Sequence, residues 1–249
     1  MWLDLTTPLV IAHRGDSIHA PENTLAAFEA ATRQGADAIE FDVQLTRDGQ
    51  VIVLHDPTVD RTTDGTGNVT QLDLPALREL DAGSSFSAQF HGEPIPTLNE
   101  LFEAVGKRLY LNVELPKYAT PLDGLVPKVA EMVRQHALEE RVLFSSFLPR
   151  DLSRMRKILP SVPRGLLTHS GWRGGWGRVF GWRGDYAVLH PYLTDLDNGL
   201  VRRVHAARKR VHVWTVNAEV DIRRVISLGV DGIITDDPAL ACRLLGRLN

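Results

Sequence analysis

The sequence predicts a (β/α)8 TIM barrel carrying a small insertion after its second-strand hairpin. Three observations point there. Short apolar segments read as strands starting at Leu9, Ala38, Leu109, Val142, Gly165, Tyr186, Val211 and Gly232, each followed by a helical stretch or a long loop. The chain has 249 residues, 43% of them hydrophobic, so residues 1–249 suffice for one large domain of this kind. Polar and ionisable residues gather at the ends of the strands, where barrels build their active sites. An open doubly wound sheet would share the alternation of strands and helices. Its glycine-rich dinucleotide fingerprint is missing, since His13-Arg14-Gly15-Asp16 offers one glycine.

The first strand, Leu9 to Ala12, opens into a loop at His13-Arg14-Gly15. Glu22 to Gln34 has helical spacing at Leu25, Phe28 and Ala31, with Asn23 or Thr24 as a cap and Gly35 as a stop. In the second strand Ile39, Phe41, Val43 and Leu45 alternate with Glu40, Asp42, Gln44 and Thr46, which puts two carboxylates on one face. Asp48-Gly49 signals a two-residue hairpin turn. With that loop Arg47 faces Gln50, and the ladder places His55 opposite Asp42. Residues 57–96 are irregular, with a helix expected at Leu74 to Leu80, and read as an insertion beside His55.

Thr97 to Val105 is helical. In the following strand Leu109, Leu111, Val113 and Leu115 face one way, and Tyr110, Asn112 and Glu114 the other. The alternation continues with helices at Leu122 to His136, Pro149 to Ile158, Asp197 to Lys209, Val220 to Leu228 and Pro238 to Leu245. Only Gly171 to Gly184, GWRGGWGRVFGWRG, breaks the rhythm.

A formal charge of −3, from 28 basic and 31 acidic residues well mixed along the chain, gives no case for nucleic acid as a partner. Any anionic ligand must be met locally. The single cysteine, Cys242, excludes an intrachain disulfide and reads as packing in the last helix. The N-terminus lacks the basic and apolar regions of a signal peptide, and no segment has the length of a transmembrane helix, so a soluble cytoplasmic protein is expected.

The chemistry sits at the strand ends. Glu40, Asp42 and Glu114 would repel one another unless a divalent cation neutralised them, and an all-oxygen set suits Ca2+ or Mg2+ better than Zn2+. His13 and His55 then remain for proton transfer. Arg14 supplies a planar donor fork for a phosphate. A cation, an arginine and two imidazoles describe phosphoryl chemistry on a phosphodiester. Trp214 would line the pocket beside the substrate, while His190 and Ser146 could support the site from behind. Histidines 19, 91, 136, 205 and 212 show no partner pattern and read as surface or packing residues. Glu22 and Asn23 either cap the first helix or order the His13 loop.

At these residues the sequence closely resembles the glycerophosphodiester phosphodiesterase family. The resemblance is carried by His13-Arg14-Gly15, Glu22-Asn23-Thr24, Glu40-Phe41-Asp42, Asp48-Gly49, His55-Asp56, Asn112-Val113-Glu114, Ser145-Ser146-Phe147, Trp214-Thr215-Val216-Asn217 and Thr235-Asp236-Asp237-Pro238. It implies a metal-dependent barrel that hydrolyses glycerophosphodiesters to glycerol 3-phosphate and an alcohol. His13 and His55 would be acid and base, Glu40, Asp42 and Glu114 the metal ligands, and Arg14 a phosphate contact. The family usually carries a lysine two residues after the third acidic ligand. Here Pro116 stands at that place, so either Lys117 reaches the phosphate from a shifted backbone or that contact is absent.

Two other readings follow from particular segments. Trp172, Trp176, Phe180 and Trp182, interleaved with Arg173, Arg178 and Arg183, would pack on the barrel, cap its mouth, bind a head group by cation–π contact or dip into a lipid interface, and the last would suit a lysophospholipase D acting on acylated diesters. Pro116 admits a weakly active phosphodiester-binding barrel.

Overall fold

The computed structural model describes residues 1–6, 8–116, 124–180 and 184–248. The strands are β1 (Leu9–His13), β2 (Ala38–Leu45), β3 (Val51–Val53), β4 (Tyr110–Glu114), β5 (Val142–Ser146), β6 (Arg164–Leu167), β7 (Val188–His190), β8 (Arg210–Val213) and β9 (Gly232–Thr235). All but β3 pair in parallel in the order β1-β2-β4-β5-β6-β7-β8-β9, and pairing of β9 with β1 closes an eight-stranded barrel. The ninth strand, β3, lies antiparallel on β2.

Helices α1 (Leu25–Arg33), α3 (Leu98–Val105), α4 (Leu125–Gln135), α5 (Pro149–Ile158), α6 (Trp172–Phe180), α7 (Asn198–Ala206), α8 (Glu219–Ser227) and α9 (Pro238–Leu244) connect the barrel strands, and α2 (Leu74–Arg78) belongs to the insertion. Their starts follow local chemistry. Thr24 accepts a hydrogen bond from Ala27 N at the head of α1, and Thr97 and Glu100 form a reciprocal capping box on α3, each cap contributing about 1 kcal/mol.

Strand alternation divides the residues between two environments. Val10, Ile39, Phe41, Val43, Leu111, Val113 and Phe144 point outward and are buried under helices. Leu9, Ile11, Ala38, Leu143, Val188 and Ile234 point into the bore, whose lower end holds the fully buried Trp2 against Tyr110. His190 and His212 also lie in the bore, 5.2 Å apart between ring centroids. A Cβ on Gly165 would meet the His190 ring at 2.2 Å, so the absence of a side chain there makes room for it. Burial holds the His190 imidazole neutral, its pKa pushed down to about 3.

The hairpin departs from the expected register. Val43 pairs with Val53 and Leu45 with Val51, so the ladder puts Leu54, not His55, opposite Asp42. The loop is the three residues Arg47, Asp48 and Gly49. Gly49 takes φ +76°, and Gly49 N bonds Thr46 O at 3.0 Å. Thr46 Oγ1 stabilises this longer turn by accepting from Gln50 N at 2.8 Å. Leu54 then faces the insertion, whose own apolar cluster gathers Ile52, Leu54, Val59, Val69, Leu77 and Ile95. His55 reaches the barrel mouth as the first residues beyond the strand turn away.

Among the described residues no helix is long and apolar enough to cross a membrane. The rhythm-breaking segment forms α6 in part, with Trp172 and Trp176 exposed at 87% and 77%. Arg178 does not share that surface, being tied to Asp195 and to His169 O. Trp182 and Arg183 lie outside the described residues.

Candidate active site

The strand register that closes the barrel also assembles the site. His13 pairs with Glu40, Glu40 with Asn112, and Asp42 with Glu114. These inward positions on β1, β2 and β4 form one wall at the C-terminal rim. Oxygen atoms of Glu40, Asp42 and Glu114 all lie within 4.8 Å of one another. Burial and the charges of Asp42 and Glu114 push the Glu40 carboxyl well above its usual range. Crowded carboxylates with no thiolate among them fit a hard divalent cation, which would remove the repulsion that raises Glu40.

A pocket of about 130 Å³ opens over this wall. Its polar half is His13, Arg14, Glu40, His55, Asn112 and Glu114; its other half is Phe147, Leu167, His169, Trp214 and Ile234. Phe147 stacks on His169 at 4.3 Å and meets Trp214 edge-on at 5.6 Å. Trp214 is fixed further by donating Nε1–H to His190 O at 3.0 Å. His190 thus supports the wall through its backbone, while Ser146 Oγ is spent on Leu115 O.

His13 and His55 each have a carboxylate behind them. His13 Nδ1 lies 2.6 Å from Asp236 Oδ1, leaving Nε2 toward Glu40 at 3.9 Å. Asp236 also accepts from Asn217 Nδ2 at 2.5 Å and Ser17 Oγ at 3.2 Å. Burial pushes the Asp236 carboxyl up, but these hydrogen bonds and the charge of His13 outweigh it and hold the carboxyl below its usual range. His55 Nδ1 lies 2.5 Å from Asp56 Oδ1. Arg61, from the insertion, bonds Asp56 Oδ2 at 2.6 Å and, with that bond as the largest cause, Asp56 is held down at about 2.

Arg61 also binds both oxygens of Glu22, at 2.7 and 2.8 Å, and Glu22 accepts from Arg14 Nη1 at 2.8 Å. Burial pushes the Glu22 carboxyl up, yet Arg61 and Arg14 together bring it to about 2. Arg14 is buried, which disfavours its charge, but Asp42, Glu22 and Glu40 outweigh that and keep the guanidinium firmly protonated. Its backbone sits at φ +58°, and Asn23 at φ +59°, two left-handed non-glycine residues in the loop that carries the site. Asn23 Nδ2 donates to Asp42 Oδ2 at 3.1 Å, so Glu22 and Asn23 order the site while Thr24 alone caps α1.

The structure therefore brings His13, Arg14, Glu40, His55, Glu114 and Trp214 to one pocket, with Asp42 in the carboxylate cluster beneath. Lys117 lies outside the described residues. Sequence reasoning missed Arg61, which no local pattern marks, and His169, which lies just beyond the C-terminal end of β6 as His13 lies at that of β1. Asp56 and Asp236 stood in the quoted motifs without a role. Histidines 19, 91, 136 and 205 do have partners, pairing with Asp16, Asp81, Asn99 and Asp231.

The family model described as "Glycerophosphoryl diester phosphodiesterase family" matches residues 13–240. The chain belongs to that family. Its members are phosphoric diester hydrolases, and the chain is accordingly a hydrolase of that class. A relative named glycerophosphodiester phosphodiesterase, from Caldanaerobacter subterraneus subsp. tengcongensis, is 42% identical over 96% of this chain and 98% of its own length. An Oleispira antarctica phosphodiesterase solved in complex with the product sn-glycerol-3-phosphate has a TM-score of 0.83 at 34% identity, covering 96% of this chain and 97% of that one. The glycerophosphodiester phosphodiesterase of Agrobacterium tumefaciens superposes with a TM-score of 0.81 at 29% identity, covering 95% and 100%.

Proposed function

We propose that this chain hydrolyses glycerophosphodiesters to glycerol 3-phosphate and an alcohol, with His13 and His55 as the proton-transfer pair. The observation that carries the reading is two imidazoles, each backed at Nδ1 by a carboxylate, flanking Arg14 and an acidic triad in one pocket. Glu40, Asp42 and Glu114 would hold a hard divalent cation, Mg2+ or Ca2+. When bound, such an ion supplies positive charge that offsets the negative phosphoryl oxygens.

The protein's own groups account for the rest. Arg14 presents donors to a phosphoryl oxygen while Glu22 fixes its direction. Asp236 and Asp56 accept the Nδ1 protons, so Nε2 is the nitrogen through which each histidine would exchange a proton. One histidine takes the proton of the attacking oxygen as its bond to phosphorus forms. The other gives a proton to the departing alkoxide as the phosphorus–oxygen ester bond breaks, and the net change consumes one water. Trp214 and Phe147 provide an apolar wall for the carbon chain of the glycerol. Among the described residues, the exposed tryptophans of α6 are the feature that favours acylated diesters.

Release of glycerol 3-phosphate from glycerophosphocholine or glycerophosphoethanolamine, followed by a coupled dehydrogenase assay, should need a divalent cation and stop with EDTA. A His13→Ala, His55→Ala double variant that kept full activity would sink the mechanism.

A further inference from the structure

A second cavity, of about 190 Å³, lies between the β1–α1 loop and the insertion. Ser17, Glu22, Arg61, Thr62, Ser85 and Phe86 are among its lining residues. Its lining is hydrogen-bonded to the residues of the catalytic pocket. Glu22 bonds Arg14, which lines the pocket; Ser17 Oγ bonds His13 O; and Arg61 bonds Asp56, which backs His55.

Its position in the barrel matters. The apolar half of the pocket comes from segments following β5, β6, β8 and β9, and the ionisable half from β1, β2 and β4. The second cavity lies next to the ionisable half, across the Glu22–Arg14 and Arg61–Asp56 bonds and on the β1–β2 side of the ring, opposite the segments that carry Phe147 and Trp214. A phosphodiester centred on Arg14 and the histidines sends its two ester arms in different directions. With one arm against the aromatic wall, the other runs toward the second cavity.

We infer that this cavity is the subsite for the departing alcohol, and that it favours a small, uncharged, hydroxyl-bearing alcohol. The inference rests on the proposed hydrolytic function. The one carboxylate among its lining residues, Glu22, is bound by two arginines, so the wall offers no net negative charge to an ammonium head group. Three hydroxyl side chains, Ser17, Thr62 and Ser85, suit a polyol and discourage an acyl chain. Phe86, 42% exposed, is steadied edge-on by Phe90 at 5.7 Å, giving the carbon skeleton of a polyol a fixed ring to lie against.

The test compares kcat/KM for glycerophosphoglycerol, glycerophosphocholine and the methyl ester of glycerol 3-phosphate. The unaltered enzyme should favour the polyol diester about tenfold over the other two, and Ser85→Ala with Phe86→Ala should erase that ratio, a change of about 1.4 kcal/mol. Phe86→Trp, which retains a ring, should keep the preference. Equal rates on all three diesters, or an equal loss on all three in the double variant, would overturn the subsite while leaving hydrolysis intact. Failure to cleave any diester would overturn the functional reading and the subsite with it.

Discussion

Replacing Asp236 should cripple the enzyme without touching any group that meets the substrate. Its Oδ1 lies 2.6 Å from His13 Nδ1, a charge-assisted contact whenever the imidazole carries a second proton. Such bonds are worth about 1.5–3 kcal/mol, so Asp236→Ala should lower kcat by roughly tenfold to somewhat over a hundredfold. Asp236→Asn should do at least as much for a different reason. Asn217 Nδ2 donates to the oxygen turned away from His13, so the new amide keeps its oxygen there and turns its NH2 toward His13, while Ser17 Oγ keeps its bond to His13 O. Nδ1 would then accept, the proton would move to Nε2, and the atom facing the pocket would lose its lone pair. The assay is steady-state release of glycerol 3-phosphate at saturating cation. An Asp236→Asn variant within about threefold of the parent kcat would refute the orientation argument.

Two further outcomes follow from the charge network. Glu22 has its folded pKa depressed to about 2, so its contribution to stability is present above its ordinary value of 4.5 and lost as pH falls toward 2. Denaturant titrations should show the parent losing up to ~3 kcal/mol more than Glu22→Gln across that interval, and parallel losses would contradict it. Glu40 is displaced the other way, so its contribution is present below its ordinary value of 4.5 and lost as pH rises. In chelator-treated protein at neutral pH, Glu40→Gln should therefore raise Tm while abolishing the rise in Tm that added Mg2+ or Ca2+ gives the parent; an undiminished response to the cation would argue against the triad.

Much of this site is visible in the chain because strand alternation is a strong constraint. Glu40 and Asp42 share a face by period alone, and Asn112 and Glu114 follow from the same rule on β4. The hairpin shows where such reasoning ends. Asp48-Gly49 marks the turn correctly, but Thr46 adds side-chain bonds that lengthen the loop by one residue, and one residue shifts every pairing. His55 still arrives at the pocket, by leaving the strand rather than by facing Asp42. Arg61 was invisible for a different reason. Its partners, Glu22 and Asp56, are 39 and 5 residues away, and only the packing of the insertion brings them together. His169 was hidden by the irregular segment that follows it, although a polar residue just beyond a barrel strand is a signal in itself.

The central claim is that Glu40, Asp42 and Glu114 hold a cation beside the two histidines. Crystals grown with Mn2+ and glycerol 3-phosphate test it most directly through anomalous scattering, since Mn2+ accepts the same oxygen ligands. The account predicts one anomalous peak bounded by those three carboxylates, with the phosphate between it and Arg14. A well-ordered site lacking that peak, or a peak held instead by His13 or His55, would contradict it.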